Sequence, residues 1–247
     1  MAVLMSYKLG SRSAKSLARS MGIRRVRANG KFRNNYNHKV ICWGSSVHPS
    51  FPTPQGIINN PDAVAITTNK IKTLQCLADA GVPTPIFFTD PMEAYQYQLE
   101  NECVIFERHK LSGRSGQGIR VVQPGEELST NAPLYTVHFP KVREYRVHAT
   151  TRGVFDYSAK LTRRGQDADP YVYNYDNGRV FCRNGIELPE EVVNASVAAI
   201  NALGLDFGAL DVGVDDEGNA VIFECNSAPA LEGTTLERYT AMLREML

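Results

Sequence analysis

The chain opens on an apolar run inside "MAVLMSY", which reads as a short strand. "SRSAKSLARSMG" follows, with alanine and leucine at helical spacing, a serine placed to cap the start and a glycine placed to stop it. "IRRVRA" and "KVICWG" read as further strands. Strand, helix, strand in this order predicts a small α/β lobe over residues 1–61. "HPSFPTPQGIINNP", rich in proline and asparagine, predicts the connection out of it.

The pattern then changes. "NKIKTLQCLADAG" predicts a helix stopped by Gly81, "VPTPIFFT" a short strand, and "PMEAYQYQLE" another helix. "CVIFER", the glycine-rich "SGRSGQG" and "IRVV" read as strand, tight loop, strand. A Rossmann fingerprint or a P-loop needs a helix after the loop, so neither applies. "APLYTVHFP" is strand-like, and "EYRVHATTRGVFDYSAKLTRR" alternates around Arg152-Gly153 as a hairpin. "PEEVVNASVAAINALG" predicts a helix with acids in its first turn and Gly204 after it. "FGALDVGVDDEGNAVIFECN" predicts two strands around an Asp-Glu-Gly-Asn turn, and "TTLERYTAMLREML" an amphipathic closing helix.

Composition narrows the class. Of the 247 residues, 43% are hydrophobic and 21% charged, as in an ordinary globular protein. No run approaches the roughly 20 apolar residues of a membrane span, and the N-terminus has no signal-peptide apolar core of adequate length. Five cysteines, with no CxxC pair, read as reduced thiols filling the core of a cytoplasmic protein. The five histidines have no metal-ligand spacing. The net charge of +1 hides an asymmetry. Residues 1–61 hold ten Lys/Arg and no Asp or Glu, while the rest holds 17 against 26. Such a lobe attracts an anionic substrate or nucleic acid, or balances an acidic neighbour.

The candidate chemistry lies in the last hairpin. Asp211 ends one apolar run, Glu224 ends the next, and Asn226 follows two residues later on the same face. Carboxylates inside strands are costly unless something pairs with them. Antiparallel pairing brings the two acids to neighbouring positions. Two carboxylates and an amide oxygen make a hard donor set suited to Mg²⁺, which completes its shell with waters and phosphates. The glycine loop exposes backbone N–H groups suited to phosphate oxygens, although a plain turn has the same composition. "SRSAKS" places hydroxyls and a lysine at a helix start, either as an anion site or as an ordinary cap.

The segment "GLDFGALDVGVDDEGNAVIFECNSAPALEGTT" resembles the metal-binding signature of the ATP-grasp superfamily, an Asp at a strand end, a turn, then Glu-x-Asn-x-x-Pro-Gly. Further pieces resemble the superfamily in its order over residues 62–247. The resemblance implies an α/β (α+β) fold that holds a nucleotide between two α+β subdomains, preceded here by a shortened basic lobe. It places Lys70, Arg108 and the loop residues Ser115, Gly116, Gln117 and Gly118 at the phosphates. Val137 and His138 fall where backbone groups hold adenine. Glu144, Arg146 and Lys160 come from the central segment, the last two as catalytic residues. Asp211, Glu224 and Asn226 are implied as the metal ligands. Three departures stand out. Arg108-His109 replaces a lysine-proline pair, Pro229-Ala230 replaces Pro-Gly, and Ala209-Leu210 stands where many ligases carry an arginine. Arg163, Arg164 and Arg183 are then candidates for binding an oxyanion.

The implied function is ATP-dependent ligation of a carboxylate to an amine through an acylphosphate, with ATP and Mg²⁺ as cofactors. The substrates are small molecules or peptides, at least one of them open to carrying an anionic group. Nucleic acid is open as a partner of residues 1–61, and no membrane is expected. A phosphotransferase on the same fold, or a nucleotide-binding module without turnover, are the alternatives.

Overall fold

The computed structural model describes residues 1–111, 117–165, 167, 169–173 and 177–247. It begins with β1 (Ala2–Ser6), α1 (Arg12–Met21), β2 (Arg24–Val26), β3 (Lys39–Trp43) and β4 (Ile57–Ile58). These strands form a parallel sheet in the order β2-β1-β3-β4. Ser11 caps α1 by accepting from the Ala14 N–H, and Gly22 ends it in the left-handed region at φ 69°. The predicted strands and helix are therefore present, with the strands paired in one sheet. The segment read as a plain connection also supplies β4, since two residues are too few to show a period. The short α2 (Pro61–Thr67) follows, capped by Asn60, and α3 (Lys70–Asp79) is capped by Asn69.

A second, antiparallel sheet comes next. It is built from β5 (Phe87–Phe88), β6 (Ile105–Arg108), β7 (Ile119–Val122) and β8 (Leu134–Val137), in the order β5-β8-β6-β7. Between β5 and β6 runs α4 (Pro91–Asn101), capped by Asp90. The third sheet is the floor of the molecule. Its strands are β9 (Arg143–Thr150), β10 (Gly153–Thr162), β11 (Arg179–Cys182), β12 (Phe207–Val214) and β13 (Ala220–Asn226), in the order β11-β10-β9-β12-β13. The helix α5 (Glu190–Ala202) precedes β12, and α6 (Gly233–Glu245) closes the chain.

Alternation decides which face of the floor is buried. Tyr145, Val147, Ala149, Leu210 and Val212 point one way and pack against Val192, Ala195, Ala199 and Ile200 of α5. Their odd-even neighbours Glu144, Arg146 and Asp211 must then point the other way. A separate cluster joins the first sheet to α6, with Trp43 stacked on Phe207 at 5.7 Å and edge-on to Tyr239 at 5.4 Å. Asn59 is the hinge pin between the first lobe and the floor. Fully buried and at φ 60°, it donates to the Phe207 carbonyl at 3.0 Å and accepts from the Asp206 and Phe207 N–H groups at 2.8 and 3.0 Å. These bonds fix the start of β12, and hence the position of Asp211 four residues on.

Candidate active site

Strand register assembles the site. Asp211 on β12 lies opposite Glu224 on β13 and opposite Arg146 on β9, and Ala209 lies opposite Asn226. A bulge between Asp211 and Val212 swells the hairpin there. At Gly213 the Phe223 ring packs directly on the backbone, where a Cβ would come within 2.4 Å of it.

The polar face forms a ladder of alternating charge. Arg146 grips Asp211 with two donors, Nε to Oδ1 at 2.5 Å and Nη2 to Oδ2 at 2.9 Å. Lys160 lies 3.1 Å from the same Oδ2 and also bonds Glu144. Lys141 lies 3.3 Å from the other Glu144 oxygen. Across the hairpin, Lys70 donates to Glu224 at 2.8 Å, and the Asn226 amide donates to its second oxygen at 2.6 Å. Burial pushes the Asp211 carboxyl up, but Arg146 and Lys160 outweigh it and hold the group well below the usual carboxylate range. Burial and the Asp211 charge push Glu224 up, and Lys70 and Asn226 together more than reverse this. Both acids are therefore ionised.

A cleft of about 740 Å³ lies over this face. Lys70, Arg108, Gln117, Val137, His138, Glu144, Arg146, Lys160, Asp211, Glu224 and Asn226 all line it. Gly118 does not, but it holds φ 78°, where a side chain would meet Lys110, and accepts the His109 N–H at 2.8 Å. Ser115 and Gly116 lie outside the described residues. Arg108 reaches the cleft held by the Thr136 hydroxyl at 3.1 Å, and burial lowers its pKa. The N–H groups of Val137 and His138 are both engaged within the fold, donating to Ile86 and Val104 at 2.8 Å. Neither of these two N–H groups is therefore free for a ligand.

Of the arginines singled out for an oxyanion, Arg183 is tied to Asp156 at 3.0 and 3.2 Å and to Thr235. Neither it nor Arg163 or Arg164 lines the cleft. The first lobe does reach in, through Tyr7, Lys8, Gly10, Ser11, Arg12 and Ser13. Gly44, at φ 71°, lets that lobe close on the loop after β13, where a Cβ would come within 2.6 Å of Ala228.

Sequence reasoning missed Lys141 and the aromatic wall around it. The Lys141 side chain is 6% exposed, and its ammonium donates to the Tyr171 carbonyl at 2.9 Å. It also sits 4.2 Å over the Tyr173 ring and 5.1 Å over Phe223. Burial lowers its pKa. Phe181, on the edge strand β11, lies 5.6 Å beneath the Arg146 guanidinium. No local pattern marks these residues, because they meet only after the strands have paired. Lys141→Met should lower stability by about 1–3 kcal/mol, the cost of stranding a buried charge-assisted bond. Urea unfolding midpoints check it, and an unchanged midpoint would show that the contact carries no weight.

Two carboxylates and an amide on one cleft wall suit a divalent cation that keeps waters and phosphates in its shell. Among the described residues no three His, Cys, Asp or Glu side chains cluster to hold a metal ion.

No protein-family model and no curated protein matches the sequence. Solved structures do match. The ATP-grasp ligase PsnB, complexed with a minimal precursor, superposes with a TM-score of 0.70 at 14% identity, covering 100% of this chain and 99% of its own. The chain has the ATP-grasp fold. Other ATP-grasp structures agree. D-alanine–D-alanine ligase from Bacillus anthracis gives 0.64 at 15% identity, covering 100% of this chain and 93% of that one. A RiPP-associated ATP-grasp ligase from Chryseobacterium gregarium, in complex with ADP and a leader and core peptide, gives 0.66 at 12%, covering 100% and 98%. Among the described residues no helix is long and apolar enough to cross a membrane.

Proposed function

We propose that this protein is an ATP-dependent ligase that joins a carboxylate to an amine. The observation that carries the reading is the convergence of Asp211, Glu224 and Asn226 with Lys70, Arg108, Arg146 and Lys160 in one cleft. Asp211, Glu224 and Asn226 would hold Mg²⁺, which when bound neutralises and orients the triphosphate.

In the first step a carboxylate oxygen of the substrate attacks the γ-phosphorus of ATP, and the bond to the β-γ bridging oxygen breaks. The products are an acylphosphate and ADP. Arg108 and Lys70 steady the phosphates, while Lys160 and Arg146 face the charge that spreads over the transferring group. In the second step the amine attacks the acyl carbon, phosphate leaves, and the amine gives up a proton. No protein nucleophile is needed, so positioning and electrostatics are the chain's contribution.

The test is ADP release with Mg-ATP against a panel of carboxylates and amines, with product masses read directly. A new amide with ADP and phosphate supports the reading. A stable phosphorylated product would establish a phosphotransferase instead.

Arg108 and Lys110 both line the cleft, so their roles are separable by experiment. Arg108 is fixed by Thr136 and should be the phosphate contact. Arg108→Met should lose about 1.5–3 kcal/mol of nucleotide affinity, the value of a charge-assisted hydrogen bond. Arg108→Lys keeps the charge without the fork and should lose less. Calorimetric titration with AMPPNP decides it, and a large loss in Lys110→Met alone would move the contact to that residue.

A further inference from the structure

The first lobe carries more charge than the cleft uses. On α1, Arg12, Lys15 and Arg19 fall at spacings of three and four residues and therefore on one helical face. All three are exposed, while Ala14, Leu17 and Ala18 pack on the opposite face. Arg12 and the preceding Lys8 also line the cleft. The row thus starts at the cleft mouth and runs outward for about 10 Å at 1.5 Å per residue. Among the described residues none of these four cations forms an ion pair with a carboxylate. Nor can a sequence neighbour supply one, because residues 1–61 contain no acid. The cations of the charge ladder face carboxylates, whereas this row, continuous with the same cleft, faces none among the described residues. Among the described residues, Glu232 is the one acid outside the charge ladder that lines the cleft.

We infer that this face of α1 is a docking track for an acidic polypeptide segment belonging to the substrate, leading it into the cleft. The inference rests on the ligase reading above, since it names the class of substrate that cleft would serve. Charge complementarity is the reason: a strand of polypeptide with carboxylates along it would meet Lys8, Arg12, Lys15 and Arg19 in turn. A polypeptide is favoured over nucleic acid because RSAKSLARSM offers no aromatic side chain on which a base could stack, and the Tyr7 ring ahead of it already carries the Lys8 ammonium at 5.1 Å. Contacts of this exposed kind act chiefly on capture and weaken with salt.

The test uses the full chain saturated with AMPPNP and a fluorescein-labelled peptide of alternating Glu and Gly with a free C-terminal carboxylate. Fluorescence anisotropy gives the affinity. Lys15→Glu combined with Arg19→Glu lies outside the cleft and should weaken binding about tenfold and flatten its salt dependence. Arg27→Glu with Lys31→Glu, on the connection after β2, should leave binding within about twofold, since random surface charge contributes little. Unchanged binding in the α1 variant, or equal loss in both variants, would overturn the track. So would tighter binding of a single-stranded oligonucleotide of equal charge. Sedimentation showing a salt-sensitive dimer that the α1 reversals dissolve would assign the face to a second copy. AMPPNP affinity, measured by calorimetry on the same samples, separates the two levels. Failure of the peptide with AMPPNP bound sinks the track alone, whereas a wild-type protein that does not bind AMPPNP sinks the ligase reading and the track with it.

Discussion

Asp211→Asn should lower ADP formation by about three orders of magnitude, or about 4 kcal/mol of transition-state stabilisation. Asp211 is both a proposed metal ligand and the counter-charge of Arg146 and Lys160, at 2.5 and 3.1 Å. That double role governs the choice of substitution. Alanine would leave an arginine and a lysine facing each other, and breaking a buried pair in this way costs about 3–5 kcal/mol of stability. Asparagine keeps the shape and one acceptor, so lost activity can be told from lost fold by the unfolding midpoint. Glu224→Gln should behave alike, since Lys70 and Asn226 both depend on that carboxylate. Asn226→Ala should cost less, because water can replace one neutral ligand. Near wild-type turnover at saturating Mg²⁺ in either carboxamide variant would remove the metal assignment.

Divalent metal should bind the nucleotide-free protein weakly and at least about tenfold more tightly once ADP is present. The reason is the charge ladder. Without a nucleotide, both Asp211 oxygens are held by Arg146 and Lys160, and both Glu224 oxygens by Lys70 and Asn226. A cation arriving alone must displace these partners, leaving Arg146 and Lys70 without counter-charge and Lys160 with Glu144 alone. A cation arriving with phosphates finds an exchange available, in which the basic side chains pass to the phosphates and the carboxylates to the metal. Linkage requires the nucleotide to gain affinity by the same factor. Mn²⁺ titrations followed by electron paramagnetic resonance, with and without ADP, measure it directly. Equal affinity in the two titrations would show that the ladder does not hold the carboxylates back. Absence of binding even with ADP would count against the metal site itself.

Elements whose signals are local were legible from the residues alone. The cap and stop of α1, the hairpin around Asp215–Asn219, and the apolar periods of α5 and α6 all depend on neighbours within a few residues. The sequence also placed Asp211, Glu224 and Asn226 on one hairpin face, because period-two alternation fixes which way a strand residue points. What it could not contain is the pairing of β9 with β12, 60-odd residues apart, which sets Arg146 opposite Asp211. Nor could it show that Lys141 would be buried between Tyr173 and Phe223, or that the Val137 and His138 N–H groups would be taken up by Ile86 and Val104. It listed Arg163, Arg164 and Arg183 on equal terms, and only the packing of Asp156 and Thr235 around Arg183 took that residue out of the cleft. Local propensity and alternation are properties of adjacent residues. The partner of a charge is a property of the strand order, which comes from burying one face of each sheet and is written in no single segment.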